Sequence, residues 1–99
     1  MELTGKQKRH LRSLAHHLKP VLNIGKQGLA EAVLAQLEAN LLEHELIKVK
    51  LLKTCPMDKD ECAEAVQGRT GAALAQSLGR TLLFYRPHPE KPQLELPAG

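Results

Sequence analysis

Ninety-nine residues make one small domain, and with 42% of them apolar there is enough to bury a core. Phe84 and Tyr85 are the only aromatic residues, so that core must be built from Leu, Val, Ile and Ala, and the scarcity argues against a base-stacking platform of the RRM kind. The formal charge of +3 is unevenly spread: residues 1–26 carry six basic residues against Glu2 alone, while residues 27–99 carry eight against ten acidic ones. Such a split predicts one basic face and a polyanionic partner.

Thr4, with Gln7 three positions on, has the form of a capping box that opens a helix running to about Leu18. Leu11, Leu14, Ala15 and Leu18 share its apolar face, whereas Arg9, Arg12 and His16 fall opposite, flanked by Lys6 and Lys8. Pro20 ends the helix and starts a short strand in which Val21, Leu22 and Ile24 read as buried. After the turn Gly25-Lys26-Gln27-Gly28, a second helix runs from about Ala30 to Glu43, with Val33, Leu34, Leu37 and Leu41 on one face and Leu42 off it. Leu46 to Leu52 alternates, which puts Ile47, Val49 and Leu51 on one side of a strand and Lys48 and Lys50 on the other. Lysines on an uncovered sheet face are commonly just solvated, but here they would extend a basic surface.

Lys53 to Met57 is a loop. Asp58 then caps a third helix, with Glu61 in the capping-box position, Cys62, Ala63, Ala65 and Val66 inward, and Gly68 or Gly71 as its stop. Ala72 to Leu78 fits a helix or a strand by periodicity. The Gly79-Arg80-Thr81 turn and the following TLLFYR predict a hairpin with Gly79 at its tip. Pro87, Pro89, Pro92 and Pro97 mark residues 88–99 as a loose tail beyond a domain of residues 1–87, with Leu94 and Leu96 in at most a short edge strand. The order α-β-α-β-α-β-β predicts a two-layer sandwich, α+β or α/β in class. It has a four-stranded mixed sheet, three helices on one face and the other face open.

The turn at Gly25–Gly28 is the richest stretch for function. Its glycines permit positive φ and let backbone approach a ligand with no Cβ between. Amides of the turn and of the first helical turn lack intrahelical acceptors and lie at the positive end of the helix dipole, which suits a phosphate. Lys26 adds a mobile charge at the tip. No Ser, Thr, Asp or Asn begins the helix, so Leu29-Ala30-Glu31 leaves those amides to water or to an RNA backbone. A lone GxxG also serves simply to turn a chain.

Enzyme chemistry finds no support. There is no GxGxxG or GxSxG, and Gly79-Arg80-Thr81 lacks the glycine at position 74 and the lysine at position 80 that a P-loop needs, since Leu74 and Arg80 stand there. His16-His17 does not offer the i, i+4 pair of a metal-binding helix. Cys55 and Cys62, seven positions apart with no nearby histidine pair, form neither a disulfide framework nor a zinc knuckle and read as reduced side chains of a cytoplasmic protein. No apolar run is long enough to cross a membrane, and no charged-then-apolar leader opens the chain.

Several blocks agree in order and spacing with one family. LTGKQKRHLRSLAHHLKPVLNIGKQGL, HELIKVKLL, the TGA at 70–72 and GRTLLFYRP together resemble the bacterial YhbY family, the stand-alone form of the CRM (chloroplast RNA splicing and ribosome maturation) RNA-binding domain, over roughly residues 2 to 87. The resemblance implies a fold similar to the C-terminal domain of translation initiation factor 3, RNA binding through Gly25–Gly28, and association with precursors of the large ribosomal subunit. The chain departs from the family at Ala30, where a threonine often stands, and over Lys53 to Ala65, so no role is carried onto Cys55 or Cys62.

The expectation is therefore a monomeric RNA-binding protein, not an enzyme, with no cofactor and no metal, docked on ribosomal RNA. Gly25, Lys26, Gln27 and Gly28 would grip the backbone, Lys8, Arg9, Arg12, His16 and Lys19 would meet neighbouring phosphates, and Lys48 and Lys50 would flank them. Two alternatives stand beside it. One is a KH-like RNA-binding module, whose GxxG joins two helices, and the other is a basic adaptor for an acidic protein partner.

Overall fold

Local chemistry starts two of the three helices in the computed structural model, which describes all 99 residues. Thr4 caps α1 (Gly5–Leu14): its hydroxyl accepts from the Gln7 amide at 3.1 Å, while Gln7 Oε1 accepts from the Thr4 amide at 3.0 Å. Asp58 and Glu61 form the same reciprocal pair before α3 (Lys59–Thr70). Gly71, not Gly68, ends α3, with a left-handed φ of 74°. α1 stops short of Leu18: Ala15–His17 tighten into a single 3-10 turn and Leu18 is extended, and Pro20 disfavours any return to helical backbone at Lys19.

β1 (Pro20–Ile24), β2 (Leu46–Leu51), β3 (Ala73–Leu78) and β4 (Thr81–Tyr85) form one sheet in the order β1-β2-β4-β3. β1 runs parallel to β2, and β4 runs antiparallel to both β2 and β3, so the sheet is mixed as expected. The register of β1 on β2 slips between Pro20 and Leu22, where proline has no N–H to give the ladder. α2 (Glu31–His44) completes the expected order of three helices and four strands.

The helices do not share one face. α2 and α3 cover one side of the sheet, packing Leu34, Leu37, Leu41, Cys62 and Val66 with Ile47, Val49, Leu82 and Phe84. α1 lies on the other, with Leu11 and Ala15 against Leu46, Ala75, Leu83 and Tyr85. The reason lies in β4, whose Leu82 and Phe84 look one way and Leu83 and Tyr85 the other, so both faces require cover. Leu14 and Leu18, expected on the buried stripe of α1, stay 41% and 38% exposed. Val21 is also exposed, since α2 covers only the Leu22 and Ile24 side of this edge strand.

Residues 88–99 form no strand, but they are not loose either. Leu94 and Leu96 pack with Leu3 against the core beneath α1, so the segment straps that face. No helix is long and apolar enough to cross a membrane.

Candidate nucleic-acid interface

β1 delivers the chain into the glycine turn, which closes when the Gly28 amide donates to the Gly25 carbonyl at 2.9 Å. Gly28 is buried at φ 61°, and a Cβ there would lie 3.4 Å from Pro56 Cγ. Gly25 does not have positive φ, and its Cβ would meet Leu52 Cδ1 at 3.3 Å. Both glycines thus turn their bare sides toward the 52–56 segment, not toward solvent. The outward surface of the turn is Lys26 and Gln27. Because the turn leads from a strand into a helix, the helix-GxxG-helix arrangement of a KH domain is excluded.

α2 then begins without a side-chain cap. Ala30 supplies only its carbonyl, which accepts from the Leu34 amide at 3.0 Å, and the amides of Glu31, Ala32 and Val33 have no acceptor in the protein. The Glu31 carboxylate, which would repel an anion there, is engaged by Arg69 Nη2 of α3 at 3.3 Å. Gln27, Gly28, Ala30, Pro56 and Met57 line a shallow cleft of about 410 Å³ beside these amides.

A basic row leads toward this end of the sheet. Lys48 and Lys50 point to the same side as α1, following the alternation of β2. Arg12 and His16 from α1 and its 3-10 turn join Lys48 and Gln76 around a groove of about 410 Å³. Lys50 lies opposite both Asn23 and Thr81, one alternation closer to the glycine turn. The Leu52 amide donates to the Ile24 carbonyl at the base of that turn. At a rise of about 3.3 Å per residue, Lys48 stands about 13 Å from this point.

Arg80 belongs with the row, although the sequence offers it only as part of a hairpin tip. Its carbonyl accepts from the Leu51 amide at 2.7 Å, which places the exposed tip at the same end of the sheet as the glycine turn. Only the strand order, with β4 beside β2, reveals this. Arg12, Lys26, Lys48, Lys50 and Arg80 have no carboxylate partner, the ion pairs being Glu31–Arg69, Glu38–Arg86 and Glu43–His44. The Lys48 ammonium also donates to the Leu18 carbonyl at 3.0 Å and so braces the exit of the 3-10 turn.

Other anticipated residues are not gathered here. Lys8 borders Gln67, Ala73 and Leu74 at the far end of α1, and Arg9 is exposed on its outer side. Lys19 precedes the five residues of β1, a strand length of about 17 Å from the turn. It lies instead at the rim of an apolar pocket of about 360 Å³ lined by Leu14, Leu18, Val21 and Leu94.

The whole arrangement has known counterparts. Residues 3–86 match the model of the CRS1 / YhbY (CRM) domain. YqeI of Bacillus subtilis is 44% identical over 95 residues, covering 96% of this chain and 99% of its own length. A Haemophilus influenzae relative named RNA-binding protein is 44% identical over 95 residues, which are 96% of this chain and 95% of its own. The solution structure of a Staphylococcus aureus protein, 44% identical, superimposes with a TM-score of 0.80 over 97% of this chain and 100% of that one. By sequence, overall structure and coverage alike, the chain belongs to the CRS1 / YhbY (CRM) domain family.

Proposed function

We propose that this protein binds RNA, docking on the ribosomal RNA of large-subunit precursors in the cytoplasm as an assembly factor. The observation that carries the reading is the row of unpaired cations, Arg12, Lys48, Lys50 and Lys26, leading to the free amides of Glu31, Ala32 and Val33. Cations without carboxylate partners and uncapped helix amides are what a phosphate backbone needs. Family membership and the name of the Haemophilus influenzae relative support RNA as the polyanion. The resemblance of the sequence blocks to YhbY proteins supports the large subunit. Contacts of this kind position a protein without reading bases, so specificity comes from RNA shape.

With about four phosphates neutralised, log K should fall against log salt with a slope of about −3. Titrating a large-subunit ribosomal RNA fragment with the wild type and a Lys26→Ala, Lys50→Ala double variant tests this. The variant should bind more weakly, with a slope shallower by about 1.5. A wild-type slope near zero would remove the electrostatic contact, and unchanged affinity of the variant would remove these two lysines from it. In lysate gradients the protein should comigrate with large-subunit precursors until nuclease is added. A complex that survives nuclease would point to an acidic protein partner instead.

A further inference from the structure

Glu45, between α2 and β2, is the one non-glycine residue at positive φ, 64°, and it is buried. Strained backbone and a buried carboxylate persist together only where the surroundings over-determine them. Here the surroundings are the C-terminal strap. Glu45 Oε2 accepts from the His88 amide at 2.7 Å, and Oε1 accepts from the Gln93 and Leu94 amides at 2.8 and 3.0 Å. Burial alone would raise the carboxyl pKa, but these amides and the nearby His88 outweigh it and hold the value below the ordinary 4.5, so the accepting carboxylate is the stable form. His88 Nδ1 in turn accepts from the Glu90 and Lys91 amides, which fixes the bend between the two clasped points.

Beyond the clasp, the half-buried Leu94 and Leu96 pack against the core beneath α1, and the Pro97 carbonyl accepts from Gln7 Nε2 at 3.0 Å. Gln7 is also the residue whose Oε1 closes the cap of α1, so one side-chain amide joins the helix start to the strap. α1 itself buries only Leu11, with Ala15 just past its end. Its seat therefore depends on what the strap adds. The strap, residues 88–99, lies beyond residues 3–86, the part of the chain that matches the family domain.

We propose that Glu45 is a positioning residue for RNA binding: by clasping the C-terminal strap it seats α1 on the sheet and so aligns Arg12 and His16 with Lys48. This rests on the RNA-binding reading above, since only there does α1 belong to an interface. The mechanical link is short. Leu94 and Leu96 meet the same buried cluster as Leu11 and Ala15, the neighbours in sequence of Arg12 and His16.

The test uses the full chain with Glu45→Gln and, separately, with Leu94→Ser and Leu96→Ser together, which loosens the strap without touching the strained position. Amide hydrogen exchange should quicken about tenfold at Gln93 and from Leu11 to Ala15 in both variants, while β2 and β4 exchange as in the wild type. Affinity for the ribosomal RNA fragment should fall, with a salt slope shallower by about 1 as the Arg12 contact is lost. Plain destabilisation would shrink the folded fraction and leave the slope unchanged. Unaltered protection of α1 in both variants, or a loosened α1 with the wild-type slope, would overturn the proposal. If the wild type fails to bind the RNA at all, the RNA-binding reading itself falls, and the exchange rates separate that failure from a failure of the clasp.

Discussion

At Gly28 the chain passes through φ 61° with Pro56 Cγ only 3.4 Å from where a Cβ would lie, so the turn itself demands glycine there. Gly28→Ala should cost about 1–2 kcal/mol of stability, read as a lowered urea midpoint. Gly25→Ala should cost less, because its φ is not positive and the nearest atom is a methyl of Leu52, which can shift. Equal midpoints for the two variants would contradict this account. Gly28→Asp is accordingly a poor probe of ligand contact, since it perturbs the fold as well as the charge, whereas Lys26 and Gln27 present themselves outward. The GxxG was legible as a turn, yet its orientation was not. No spacing in the sequence brings Pro56 against Gly28 or the strap against Glu45. An acidic residue between a helix and a strand reads as solvated, and only the returning segment makes it a buried acceptor.

Among the elements, α2 has the most exposed chemistry at its start. Ala30→Asp should give the free amides of Glu31, Ala32 and Val33 a side-chain acceptor and stabilise the fold by about 1 kcal/mol, seen as a raised melting temperature. The same carboxylate occupies the place proposed for a phosphate, so RNA affinity should drop although the protein melts later. A raised melting temperature with undiminished affinity would show that these amides face no RNA. The caps at Thr4 and Asp58 were readable because a capping box is local chemistry. The placement of α1 was set by β4. TLLFY carried the sign of a strand buried on both faces, but the alternation of Lys48 and Lys50 argued for an open face. Both signals were true. The α1 side covers the sheet at Leu46 and Leu83 and leaves Lys48 half-buried and Lys50 exposed.

Taken whole, the molecule is layered by charge as well as by structure. α1, with Lys6, Lys8, Arg9 and Arg12, lies on one side of the sheet, and α2 and α3, with Glu31, Glu38, Glu43, Asp60, Glu61 and Glu64 against Lys59 and Arg69, lie on the other. A polyanion is therefore drawn to the α1 side and to the end of the sheet where α2 begins, and repelled by the outer faces of α2 and α3, which orients the protein before contact. The composition showed the imbalance between the chain's halves, but the sheet had to separate the helices for it to become a direction in space. One feature of the sheet's margin bears on a different matter, the tendency of copies to stick together. β1 is an outer strand, and an outer strand offers unpaired N–H and C=O groups to any neighbouring chain. With Val21 and Leu18 exposed beside it, this margin is a natural place for aggregation to begin. The register break after Pro20 interrupts the flat template that such pairing needs. Replacing Pro20 with Thr should therefore produce concentration-dependent dimers or larger species in sedimentation experiments. A variant that stays monomeric at every concentration would mean that the shortness of β1 is protection enough. On this view the proline that opens β1 also keeps the sheet from growing.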